Sequence, residues 1–182
     1  AVAVARADVR GLADVSMRSV AADVGVEAMS LYHHVKSKDD LLDGMVDVVF
    51  RELALPTDAD WRAALRARQT SLRAALSRHP WAVSLLESRR HPGPETLRQH
   101  DALIGVLRQA GCSPALVAHA VAVVDAFVFG FCVQEQSLPL STPDDVQAMA
   151  ATVTALSAGA HPHLAWLMSE HALLPGYAFA DE

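Results

Sequence analysis

Residues 15–42 read VSMRSVAADVGVEAMSLYHHVKSKDDLL. A helical run from Met17 to Val24 meets Gly25, and a second short run follows over Ala28–His33. Lys36 and Lys38 bracket Ser37, where a longer apolar helix begins. Two short helices joined by a tight glycine-containing turn are the sequence form of a helix-turn-helix. In this reading Ser16 caps the first helix, and Val20 and Val24 form its buried stripe. Leu31 anchors the second helix, leaving Ala28, Met29, Ser30, Tyr32 and His33 to face outward. Ser37 and Asp40 have capping-box spacing at the start of the next helix.

Working outward, the 182 residues suffice for a small domain plus a larger one. Ala, Leu and Val dominate and strand-type alternation is scarce, which predicts an all-α protein. A first helix over Ala1–Val9 ends near Gly11. The helix from Ser37 runs to about Leu53, and Pro56 and Thr57 mark a boundary, dividing the chain into residues 1–54 and 55–182. The second part carries longer helices: Trp61, Leu65, Leu72 and Leu76 on one stripe ending at His79-Pro80, then Trp81, Leu85 and Leu86. A loop over Arg89–Gly93 precedes a helix with Leu97, Leu103, Ile104 and Leu107. Ser113-Pro114 opens a long apolar helix, Thr142-Pro143 another, and His161-Pro162 the last. His79 and His161, each before a proline, read as helix caps. The chain starts without Met, as if inside a helix, and further N-terminal residues are expected.

The run Ala115–Val133 is broken by His119, Asp125 and Gly130. It reads as a buried core helix rather than a membrane span. Being apolar nearly all round, it needs cover on more than one side. A second copy would supply that cover, together with the helices near Val146–Leu156 and those after Leu164, in a two-fold four-helix interface. Cys112 and Cys132 would lie roughly 30 Å apart along that helix, beyond the reach of a bridge. Two reduced thiols suit a cytoplasmic setting. The nine histidines show no spacing that converges on a metal. The net charge is −6, and residues 1–54 carry nine acids against six bases, which counts against a nucleic-acid footprint.

Taken together, VAADVGV, SLYHHV and KSKDDLL resemble the DNA-binding region of the TetR family of bacterial repressors. DWRAALRA at Asp60–Ala67, AGCSP at Ala110–Pro114 and FGFCVQEQ at Phe129–Gln136 resemble its tetracycline-repressor-type C-terminal domain. The resemblance implies an N-terminal three-helix helix-turn-helix DNA-binding domain plus a C-terminal helical ligand-binding and dimerisation domain. It implies base or phosphate contacts by Arg18, Ala28, Met29, Ser30, Tyr32, His33, His34 and Lys38. Ala28 and Met29 offer no hydrogen bonds, so they would meet thymine methyl groups. Where tetracycline-binding members hold magnesium–drug with a His, this chain has Leu86. The aligned polar drug contacts fall at Arg68, Leu103 and Gln134. No metal and no cofactor are therefore expected. The candidate pocket lining is Trp61, Leu72, Trp81, Leu85, His100, Ile104, Phe127, Phe131 and Gln134.

These readings converge on a ligand-responsive transcriptional regulator, a repressor rather than an enzyme. Its expected partners are a double-stranded DNA operator, an unknown small-molecule effector and a second copy of itself, with no membrane partner. Two recognition helices would enter successive major grooves about 34–36 Å apart. Two other readings share the composition. A dimeric small-molecule-binding protein without DNA contact fits the acidic first 54 residues. A small helical enzyme would need a close catalytic pair, and Asp125, His119 and Glu135 form no recognisable constellation.

Overall fold

The computed structural model describes residues 1–57, 60–86, 88, 91–137, 142–157, 159–172 and 174. Among them are ten α-helices and no strand. They are α1 (Val2–Arg10), α2 (Met17–Val24), α3 (Ala28–Tyr32), α4 (Lys38–Arg51), α5 (Trp61–Arg78), α6 (Pro80–Leu86), α7 (Pro94–Gln109), α8 (Pro114–Ser137), α9 (Pro143–Ser157) and α10 (Pro162–Leu167). Residues 138, 89–90 and 173, at the expected end of α8, in the loop before α7 and in the last helix, lie outside the described residues.

The caps explain where the helices begin. The Ser16 hydroxyl accepts from the Ser19 amide, and the Ser19 hydroxyl accepts from the Ser16 amide in return. Such a box stabilises a helix start by about 1 kcal/mol. Gly25 closes α2 at φ 80° and ψ 30°, a left-handed conformation that glycine adopts without a Cβ penalty. Ser37 accepts from the Asp40 amide as its spacing predicts, but the Asp40 carboxylate turns back to the Lys36 amide, one residue earlier than a standard box. Thr142 and Asp145 form the complete reciprocal pair at the start of α9.

Two compact units divide the chain, Ala1–Cys132 and Val133–Glu182. In the first, Val4 and Ala7 of α1, Val20 of α2, and Leu42, Met45, Val49 and Phe50 of α4 join one buried core with Leu72 and Leu76 of α5 and Trp81 and Leu85 of α6. A satellite cluster of Leu103, Leu107 and Val117 lies under Trp61 and Leu65. In the second unit α9 packs with α10 and with the single π-turn Met168–Ala172.

Two expectations of helix faces change. Val24 is 49% exposed, and the buried stripe of α2 is Met17, Val20 and Ala21, because α2 ends before its last residue reaches the core. Leu97 and Ile104 are exposed, while Gln99 takes an inward place on α7. His79 stands at the C-cap of α5, where its amide donates to the Ala75 carbonyl, and His161 at the N-cap of α10, without a side-chain cap bond. The His79 ring is buried, with Nδ1 2.7 Å from Asp8 Oδ1 and Nε2 3.2 Å from Glu52 Oε1. Finally, α8 is long and apolar enough to cross a membrane by length and composition, yet only 17% of its apolar window is buried. One side of it enters the cores through Val117, Val128 and Cys132, and most of the remainder is exposed.

The Asp8–His79–Glu52 bridge ties α1 and the end of α4 to the α5–α6 corner, where Trp81 Nε1 also donates to Asp8. The Arg78 guanidinium, and after it the His79 ring, hold the Glu52 carboxyl below its ordinary value of 4.5, against an opposing push from burial. A depressed carboxyl contributes stability that is full above the unfolded value and lost as pH falls through the folded one. Glu52→Gln should therefore be less stable than the parent at pH 7, with the gap closing below about pH 4.5. Urea titrations followed by tryptophan fluorescence would show it, and a gap of constant size from pH 7 to pH 3 would refute it.

Candidate functional site

The expected reading head is assembled as α2, the Gly25 turn and α3, with Lys38 opening α4. No residue of α3 is fully buried. Leu31 is the one that leans on the core. Met29 is 70% exposed, Ser30, Tyr32, His33 and His34 are exposed, and Ala28 is half-buried. Arg18, the second residue of α2, stands exposed one turn from the Ser16 cap. The eight candidate DNA contacts therefore lie on an uncovered two-helix element plus the first residue of α4.

The acidic balance of this region reads differently once its partners are seen. Arg6 takes both Asp14 and Asp23 at 2.7 Å. Asp8 and Glu52 are held by His79, Asp40 by the Lys36 amide, and Asp47 is buried. Six of the nine acids thus serve internal contacts. Arg18, Lys36 and Lys38 remain exposed beside α3, which is what local phosphate contact needs.

Behind the head, α4 and α7 cap one another. Asp47 of α4 accepts from the Thr96 amide at 2.9 Å and from its hydroxyl at 3.2 Å. Thr96 lies in the first turn of α7, whose own N-cap is Gly93, a residue with no side chain to do this. In the other direction, Gln99 Nε2 donates to the Leu53 carbonyl at 2.9 Å and more weakly to that of Phe50, at the C-terminal end of α4. Orphan groups at two helix ends are satisfied across the packing interface.

A cavity of about 250 Å³ adjoins this joint. Asp43, Val46 and Phe50 of α4 line one side, and Leu86 ends α6 beneath it. Gly93, Thr96 and His100 at and after the start of α7 and Asp125 and Phe129 of α8 complete the wall, with His91 and Pro92. Asp125 is held from behind by the fully buried Arg68, and Gln69 donates to the same Oδ1 at 3.2 Å.

Of the nine candidate lining residues, only His100 borders this cavity. Leu72, Trp81 and Leu85 are core residues of the first unit. Trp61 covers the Leu103–Leu107–Val117 cluster, with the Arg62 guanidinium 4.2 Å over its ring. Ile104 lines a separate open apolar groove between α7 and α8, together with Arg108, Cys112 and Val121. Phe127 is 65% exposed, the Arg73 guanidinium lies 4.6 Å over Phe131, and Gln134 is exposed. The residues that sequence reasoning missed are Asp43, Asp47, Gly93, Thr96 and Gln99. Only Asp47 left a signal, as a charge within the apolar run Met45–Phe50.

Comparison with known proteins agrees with this layout. Residues 54–175 match the family model described as tetracyclin repressor-like, C-terminal domain, and residues 1–45 match that of bacterial regulatory proteins, tetR family. The transcriptional repressor DrrR1 of Streptomyces coeruleorubidus is 37% identical over 131 residues, 70% of this chain and 48% of DrrR1. The chain thus spans about half the length of the curated relatives it matches. Among solved structures, ActR of Streptomyces coelicolor in complex with actinorhodin is 25% identical, with a TM-score of 0.79 over 94% of this chain and 84% of that one. BioQ with its natural double-stranded DNA operator is 31% identical, with a TM-score of 0.65 over 76% of this chain and 85% of that one.

Proposed function

The chain belongs to the TetR family of bacterial transcriptional regulators, and from that premise we propose that it is a cytoplasmic, ligand-responsive repressor that binds a near-palindromic operator as a homodimer. The observation that carries this is the uncovered α2–α3 element, with Arg18, Met29, Tyr32 and Lys38 all exposed around a capped, glycine-closed turn. BioQ, at 31% identity, is solved on its operator, and ActR is solved with a small molecule. The head, residues 1–54, would read DNA, and residues 55–182 would bind the effector and pair the subunits.

Dimerisation follows from what is left uncovered. Leu116, Val123 and Phe127 are exposed at helical spacing on α8, with Ala126 and Gly130 beside them. Leu156 and Trp166 are exposed in the second unit. Apolar surface of this extent calls for a partner. Asp125, paired to Arg68 in the middle of α8, suits a protein partner rather than lipid. Release would start at the cavity, because a ligand there touches α4 and α7 at once. A ligand that prefers one spacing of the two would shift the heads.

Fluorescence anisotropy on DNA flanking the chain's own gene tests the reading. Tyr32→Ala and Lys38→Ala are each expected to weaken binding about tenfold, with the dimer intact by sedimentation. Lys38→Ala should also lower the slope of log K against log salt by about one. Unchanged binding by both variants, or no binding by the parent at any salt concentration, would favour the dimeric ligand-binding protein without DNA contact.

A further inference from the structure

The open groove between α7 and α8 is a second concavity with its own chemistry. The two helices meet through Leu103, Leu107 and Val117, and beside that contact they flank about 650 Å³. Ile104 and Arg108 line the α7 side, one turn apart. On the α8 side Ala118 and Ala122 are also one turn apart, and their short side chains leave the space open. Pro114 and Val121 complete an apolar wall along about 12 Å of helix, and Cys112 lies at the turn where the helices join.

Two observations say what the groove accepts. Arg108 is the single charged group on the described wall, and among the described residues it has no ion pair and no hydrogen-bond partner. No carboxylate shares that wall, so an anion would meet a guanidinium and no opposing charge. The second observation is position on α8. At about 100° per residue, Val117, Ala118, Val121 and Ala122 centre about half a turn round from Leu116, Val123 and Phe127, the face assigned to a second copy. A copy docked on that face leaves the groove open. Its volume is in the middle of the range for small-molecule sites.

We propose that the groove is a small-molecule site for an apolar carboxylate of the fatty-acid class, with its tail against Ile104, Val121 and Ala122 and its carboxylate on Arg108. The described walls of this groove and of the cavity beside α4 have no residue in common. The proposal therefore stands whether or not that cavity holds the effector.

Cys112 reports occupancy, because it lines the groove while Cys132 is buried. Iodoacetamide alkylation of the whole chain, quantified at Cys112 by mass spectrometry, should be slowed by decanoate at about fivefold lower concentration than by decylammonium, a tail of equal length and opposite charge. Both probes are kept below their micelle concentrations. Arg108→Glu should reverse that order. Ala118→Phe fills the groove and should remove protection by either probe, with the sedimentation behaviour of the parent. Both positions are exposed, so neither variant disturbs the core. Equal protection by the two probes, or an unchanged order in Arg108→Glu, overturns the carboxylate. Protection by neither probe, or protection in Ala118→Phe equal to that of the parent, removes the groove as a ligand site. A change of subunit stoichiometry in Ala118→Phe assigns the groove to the subunit interface and overturns the proposal.

Discussion

Asp125→Ala should cost the first unit about 3–5 kcal/mol, because it strands a buried positive charge. Arg68 has no solvent-accessible surface, and its Nη1 is held by Asp125 and by Gln69 Oε1. Among the described residues its Nε and Nη2 have no hydrogen-bond partner, so the carboxylate is the main compensation for its desolvation. In a chain of this length the loss corresponds to a fall in Tm on the order of 10 °C. Removing the charge as well should restore most of it, since a buried pair replaced by apolar side chains is often neutral. Arg68→Met in the Asp125→Ala background is therefore expected to raise Tm above that of Asp125→Ala alone. Differential scanning calorimetry decides the matter. A single substitution that shifts Tm by less than about 2 °C would show that water already solvates Arg68.

Gly93→Ala should also be severe, at about 1–3 kcal/mol, for a different reason. The Gly93 backbone sits at φ −77° and ψ 173°, ordinary for any residue, so no left-handed strain is involved. An added Cβ would lie 2.7 Å from the Asp47 Cβ and closer still to its carboxylate. Either the joint opens, at the cost typical of overpacking, or Asp47 turns away and α7 loses its cap. The two origins are separable in a double-mutant cycle. In an Asp47→Gly background, which removes the Cβ as well as the carboxylate, Gly93→Ala should cost less than about 1 kcal/mol, because the clashing atoms are gone. Equal losses in both backgrounds, measured by urea unfolding, would place the strain elsewhere. Because this joint links the head-bearing α4 to the cavity wall, Asp47→Ala is the variant in which ligand and DNA binding should come uncoupled.

What the sequence shows clearly here is local. Ser16, Gly25, Ser37, Ser113 and Thr142 announce helix ends because a cap involves residues only two or three positions apart. Helix α3 was legible for the same reason: five residues, one anchor and an exposed remainder. Apolar periodicity on α5 and α6 identified Leu72, Trp81 and Leu85 as inward-facing. It could not say whether they face a cavity or a core, and all three pack in the core. On α8 it could not tell a covered face from one awaiting a partner, since both are apolar.

Sequence by itself determined the helical class, the helix starts, the α2–turn–α3 element and the family, all set by short-range pattern and by motif. Tertiary structure alone decided the working joints. Asp47 meets Thr96 across 49 positions of chain, and Arg68 meets Asp125 across 57. At those separations a pairing leaves no periodic trace, because it depends on which helices pack and at what height. The same holds for the cavity, whose chemistry arises where four helices fail to fill the space between them.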